Sequence, residues 1–91
     1  MHTMDTDIQK DALKRLKYIE GHIKGVTKMV MDDKYCVDVI KQSYAIRKSL
    51  EKVEAVLIAG HMRTHVIPGI REGHENEQID ELVELYGLSN K

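Results

Sequence analysis

Three residues, Cys36, His61 and His65, carry the clearest capacity for chemistry in this sequence. An i, i+4 histidine pair projects from one face of a helix, so a single ion can accept both imidazoles. Cys36 precedes His61 by 25 residues, roughly 38 Å along a straight helix at 1.5 Å per residue. The three therefore share an ion only where two chains pack antiparallel and set Cys36 of one beside His61 and His65 of the other. A metal site, a dimer and a switch are expected together. A Cys-His-His set is borderline in softness. It suits Cu(I) in a trigonal site, and equally Zn(II), Ni(II) or Co(II) when further ligands join. His2 is a candidate fourth ligand, and a simple solvated residue is the equal alternative. His22 and His74 show no partner pattern and read as ordinary surface residues.

Such ligands need long helices to carry them. The 91 residues make one small domain, residues 1–91, marginal alone and helped by oligomerisation. Phe and Trp are absent and Tyr numbers 4, so Val, Ile, Leu, Met and Ala must build the core. The first helix is expected from Thr6 to about Met31, with Thr6-Asp7-Ile8-Gln9 as a capping box. Ala12, Leu16, Ile19, Ile23, Val26 and Val30 recur along it as a narrow coiled-coil-like seam. Asp32 and Asp33 are expected N-caps of a second helix, which places Cys36 at N3. There the partial positive charge of the helix start favours thiolate, the form that binds metal; alone, a single cysteine more often reads as a small buried hydrophobe. Val39, Ile46, Leu50, Val53 and Leu57 continue the apolar seam, with Ser43 filling the same stripe.

The second helix should pass through His65 and stop before Pro68, since the residue before proline avoids the helical region. Gly60 is costly inside a helix and points to a close backbone approach or a strained site. Pro68-Gly69 then opens a loop. A third helix is expected over 77–86, capped by Asn76, with Ile79, Leu82, Val83 and Tyr86 as its apolar face and Gly87 as its C′ residue. The final Ser-Asn-Lys should fray. The fold expected is all-α: a three-helix protomer whose long hairpin leaves apolar surface uncovered, completed by a second copy as a four-helix bundle.

One cysteine allows no internal disulfide, which points to a reducing cytoplasm. MHTMDTD has no apolar h-region, and no apolar run approaches the ~18 residues of a membrane span. The net charge of −1 hides a split: residues 10–28 hold six bases against two acids, and residues 72–84 hold six acids and no Lys or Arg. Lys10, Lys14, Lys17, Gly21, Lys24 and Lys28 share the seam's spacing and form one face of the first helix. Repeated in a dimer or tetramer, such strips add up phosphate contacts. Arg47 and Lys48 extend the strip. A solubilising helix face has the same pattern. The helices are too long for a helix-turn-helix, so any DNA docks on a bundle face.

Taken together, these segments resemble the copper-sensitive operon repressor (CsoR) family of bacterial metal sensors, which includes the nickel/cobalt sensors of the RcnR type. The resemblance is carried by Arg15-Leu16-Lys17-Tyr18-Ile19-Glu20-Gly21-His22-Ile23-Lys24-Gly25-Val26, by Tyr35-Cys36-Val37-Asp38-Val39-Ile40, by Gln42 and Ala45-Ile46-Arg47, and by His61-Met62-Arg63-Thr64-His65-Val66. It spans residues 10–87. It implies an all-helical repressor, dimeric and often a dimer of dimers, whose apo form binds operator double-stranded DNA and whose metal form releases it. Cys36 and His61 match the family's metal ligands. His65 stands where copper sensors usually have a second cysteine, and a histidine there is also found in nickel/cobalt sensors. Tyr35 and Glu81 match residues that the family sets behind its ligands, where outer partners orient the imidazoles. Persulfide-sensing relatives have a cysteine where His61 stands, and formaldehyde-sensing relatives have proline where His2 stands.

The expected function is a metal-responsive repressor, with Cys36, His61 and His65 as ligands and Lys14, Arg15, Lys17, Lys24 and Arg47 as DNA contacts. Cu(I) is placed ahead of Ni(II) and Co(II), with Zn(II) also admitted. A metal storage or transfer bundle without a DNA role is the rival. An enzyme is disfavoured, because no base is paired with the cysteine within one chain.

Overall fold

The computed structural model describes residues 4–89. His2, Asn90 and Lys91 lie outside the described residues. Helix α1 runs Thr6–Met31, α2 Cys36–His61, α3 Ile67–Arg71 and α4 Glu75–Ser89, with one π-helical turn at Met62–Val66 between α2 and α3. The backbone stays right-handed helical through the residues that join α2, the π turn and α3. Cys36 to Arg71 is therefore one interrupted rod. The molecule is three rods with no strand among the described residues, as the seam pattern requires.

Each boundary has a local cause, and several differ from expectation. The N-cap of α1 is Asp5 and not Thr6. Its carboxylate accepts from the N–H groups of Asp7 at 2.8 Å and Ile8 at 3.3 Å, two of the donors a helix start leaves unpaired. Asp32 and Asp33 close α1 and do not open α2. Asp33 takes the left-handed conformation with φ 54°. Its N–H donates to Val30 and that of Lys34 to Met29, a Schellman closure in which a short polar residue replaces the usual glycine. The N-cap of α2 is then Tyr35, with no side-chain cap, and Cys36 is the first helical residue and not the third.

The expected stop before Pro68 is also overturned. Pro68 has no N–H to give the carbonyl four residues back, and its ring would crowd that carbonyl. The π turn widens the helix just ahead of it, with the Ile67 N–H reaching Met62 O. Pro68 then sits in the first turn of α3, where a missing donor costs nothing. A second Schellman closure ends α3: Gly73, with φ 87°, donates to Ile70, and His74 donates to Gly69. Helix α4 begins two residues earlier than expected, because the His74 carbonyl already accepts from Gln78 at 3.2 Å. Gly87 does not end α4. It lies inside the helix, and Ser89, expected to fray, is the last residue of that helix.

The hairpin of α1 on α2 holds the core. Ala12, Ile19 and Val53 are buried, with Leu16, Ile46 and Leu57 packed against them. Val66, in the π turn, is buried as well. Farther along, the seam opens: Val26 and Val39 are half-buried, Ile23 is 47% exposed and Val30 63%. The shape is long and thin, 56 × 29 × 17 Å, so apolar side chains on the flat faces meet solvent.

Candidate metal centre

The site is organised where α1 starts and α2 ends. Gly60 is buried, and a Cβ there would lie 2.8 Å from Ile8 Cγ1 and 3.0 Å from Cγ2. Ile8 therefore sits directly on the α2 backbone one residue before His61. This is the close approach that Gly60 signals in the sequence. The π turn follows at once and carries His65, and Thr64 returns its hydroxyl to Gly60 O at 2.8 Å. The rings of His61 and His65 lie 5.2 Å apart at 43°. The i, i+4 pairing thus survives the change of helix type.

His61 Nε2 donates to Glu81 Oε1 of α4 at 2.6 Å. An ionised carboxylate only accepts, so Nε2 carries the proton of this bond, and in the neutral ring that leaves the Nδ1 lone pair for a Lewis acid. Metal-bound imidazoles have this arrangement, one nitrogen on the ion and the other on a carboxylate. The donor set therefore fits a transition metal. His61 is 26% exposed and Glu81 45%, which leaves the pair reachable from outside. A cleft of about 480 Å³ opens beside it, lined by the start of α1, the end of α2 and α4.

Cys36 stands at the other end of α2, exposed. It is still in the first turn, where backbone N–H groups are unpaired. Tyr35 is exposed beside it, and its carbonyl accepts from Asp38 and Val39. Within one protomer, then, His61, His65 and Glu81 come together, and Cys36 and Tyr35 do not join them. Among the described residues of one chain no group of three His, Cys, Asp or Glu side chains is set to hold an ion.

Lys10, Lys14, Lys17, Lys24 and Lys28 are all exposed on α1, and Arg47 is exposed on α2. Arg15 is paired with Asp11 at 2.8 Å and Lys28 with Asp32 at 3.2 Å. Lys14 and Arg15 line a groove of about 380 Å³ with Lys52 of α2. Lys52 was not expected there; only the pairing of α1 with α2 reveals it. Lys48 bonds Glu51, which raises its pKa above the usual lysine value through that hydrogen bond and then through charge. Arg47 and Lys48 both lie over the Tyr44 ring, at 5.6 and 5.5 Å. His22, read as an ordinary surface residue, instead donates from Nε2 to Gln42 Oε1 at 2.7 Å and ties α1 to α2. Both residues fall within the segments of the family resemblance. His74 lies 3.9 Å from Glu77, a loose contact at the start of α4.

A helical hairpin with a histidine pair, one imidazole of it backed by a carboxylate, and a basic α1 face is what a small all-helical metal-binding regulator needs. The chain belongs to the metal-sensitive transcriptional repressor family, whose model matches residues 8–87. It is 38% identical over 76 residues to the copper-sensing transcriptional repressor CsoR of Mycobacterium tuberculosis, covering 84% of this chain and 64% of that one. The chain thus spans a little under two thirds of the length of that mycobacterial relative. The structure resembles CsoR with Cu(I) from Geobacillus thermodenitrificans, with TM-score 0.91 and 35% identity over 100% of this chain and 95% of that one. It also resembles the nickel-responsive transcriptional regulator InrS, with TM-score 0.74 and 31% identity over 92% of each. No described helix is long and apolar enough to cross a membrane.

Proposed function

We propose that this protein is a metal-responsive transcriptional repressor, one domain that binds operator double-stranded DNA as apo-protein and releases it on binding Cu(I). The observation that carries the reading is the His61–Glu81 bond, which presents Nδ1 of a fixed imidazole to an ion. His61 and His65 of one subunit join Cys36 of a second, antiparallel subunit. The exposed halves of the seam, Ile23, Val30 and Leu50, supply the surface that the second hairpin covers. The assembly is a homodimer, or a homotetramer built from two such dimers.

When bound, the metal would supply a Lewis acid, held by the Cys36 thiolate of one subunit and the His61 and His65 imidazoles of the other. The chain's residues do the rest. Glu81 holds the His61 ring and so links its orientation to α4. Gly60, next to His61, carries Ile8 and therefore the start of α1. Helix α1 bears Lys14, Arg15, Lys17 and Lys24, which with Arg47 meet the phosphates. Any turn of the His61 ring is thus passed to α4 directly and to the DNA-binding helix through one contact. A coupling of about 1–3 kcal/mol is the ordinary size of such a switch.

Copper is favoured by the similarity to copper-sensing repressors. One observation favours a second reading, a Ni(II)- or Co(II)-responsive repressor: the ligand that the π turn adds beside His61 is the imidazole of His65 and not a thiolate, and InrS is nickel-responsive. Zn(II) suits the same donors. The deciding experiment titrates anaerobic protein on a fluorescent fragment of its own promoter with Cu(I), Ni(II), Co(II) and Zn(II). Anisotropy should fall first, at the lowest free concentration, with Cu(I). Absence of any DNA shift by apo-protein at low salt would sink the repressor reading. Replacing Lys14 and Lys17 by Glu should then abolish DNA binding and leave metal affinity unchanged, an outcome that a storage bundle has no reason to give.

A further inference from the structure

We propose that Met4 is a further ligand, its thioether sulfur completing a Cys-His-His-Met copper site. The inference rests on the metal reading above and deepens it. Met4 lines the same cleft as His61, His65 and Glu81. It directly precedes Asp5, whose carboxylate fixes the chain's entry into α1 by accepting from Asp7 and Ile8. Ile8 in turn is seated on the backbone of Gly60, one residue before His61. Two short-range contacts therefore fix the residues that follow Met4 beside the site, and the chain brings Met4 to the same cleft, although it lies more than fifty residues from His61 in the sequence.

The chemistry of the set gives Met4 a task. Thiolate and two imidazoles form a trigonal site that suits copper and also serves borderline divalent ions. A thioether is soft and uncharged, and it selects Cu(I) from among those ions. Methionine joins two histidines and a cysteine on copper in electron-transfer sites, there as a long axial ligand; here it is a bonded fourth ligand to Cu(I). A methionine that only filled space would pack as well if replaced by leucine, since such volume-conserving exchanges cost little. Met4 is 47% exposed, so the residue is reachable from solvent.

The test compares wild type with Met4→Leu. Anaerobic Cu(I) affinity is read by competition with a chromophoric chelator, Zn(II) affinity is read in parallel, and X-ray absorption at the copper edge counts sulfur neighbours. The expected result is two sulfurs in wild type and one in Met4→Leu. Cu(I) affinity should fall at least about tenfold, the lower bound of what is lost when a ligand's support is removed. Zn(II) affinity should stay within about twofold, because the thioether matters to the soft ion. Selenomethionine-labelled wild type should show a Cu–Se contact that Met4→Leu abolishes. A Cu–Se contact that persists would assign the sulfur to another methionine, such as Met62, and overturn the proposal. One sulfur in wild type with equal Cu(I) affinity in the variant overturns it too and leaves the Cys36-His61-His65 reading standing. Wild type with no Cu(I) affinity, or a Cys36→Ala variant that binds Cu(I) as tightly as wild type, overturns both.

Discussion

At its start α2 presents Cys36 on an open turn: exposed, with no side chain capping the helix and Tyr35 in solvent beside it. At its end the same rod is held from three sides. Ile8 presses on Gly60, Glu81 bonds His61, and the π turn sets His65 5.2 Å from its partner ring. One end is pre-organised and the other is presented. This division suits a site shared between subunits, where the geometry of the held end decides what the presented end must meet. It also separates stability from metal affinity, because the residues that fix the fold at one end have no counterpart at the other.

The largest expected effect breaks the comparison at the presented end. Cys36→Ala should lower Cu(I) affinity by more than 100-fold, beyond the 10–100-fold range for loss of an outer partner. It should leave thermal stability within experimental error, since Cys36 is exposed. Chelator competition and a melting curve at one fixed protomer concentration read the two quantities. A large loss of stability would show that Cys36 belongs to the fold and not to the site.

Glu81→Gln acts at the held end and should be smaller. The amide keeps the shape and can still accept from His61 Nε2, but it lacks the charge that makes the imidazole a better ligand. Cu(I) affinity should drop by about 10–100-fold. Anisotropy should show DNA release blunted further than that drop explains, because α4 loses its charged tie to the ligand. An unchanged release curve once the affinity is corrected would cut Glu81 out of the switch.

Gly60→Ala tests the held end through packing alone. The new methyl meets atoms of a β-branched side chain close to its own backbone, which cannot swing aside. Overpacking of this kind costs about 1–3 kcal/mol, read by denaturant unfolding. Metal affinity should fall with it, since Ile8 and His61 are displaced together. A neutral Gly60→Ala would mean that α1 is not seated on the site.

The sequence already shows the rods and most of the residues at issue. Periodicity places Ala12, Ile19 and Val53 in the core, where the structure has them, and the oddness of Gly60 marks a real contact. What misleads is local and has physical causes. Asp33 has the chemistry of an N-cap and of a left-handed closing residue, and only the chain's reversal between α1 and α2 selects the second. Pro68 reads as a helix stop because a widened turn ahead of it leaves no signature in residue types. The His22–Gln42 bond and the place of Lys52 depend on which faces of α1 and α2 meet, information that lies in the pairing and in neither helix alone. The Glu81 tie was legible through family resemblance and not through spacing.

The smallest effects sharpen the comparison most, because they change one cap at a time. Asp5 and Tyr35 hold nearly the same backbone geometry, φ −56° and ψ 138° against φ −53° and ψ 127°. One carries a capping carboxylate and the other a phenol that caps nothing. Asp5→Ala should cost about 1 kcal/mol, a fall of about 4–8 °C in Tm for a domain of this size. Tyr35→Asp should do the reverse, since the backbone is already shaped for a cap and two N–H groups of the first turn of α2 gain an acceptor. A more stable Tyr35→Asp that still binds DNA but no longer releases it with metal would show that position 35 is held for switching at the expense of the helix. A variant that is stabilised and still switches would mean that the open end of α2 gives up its cap for some reason other than the metal response.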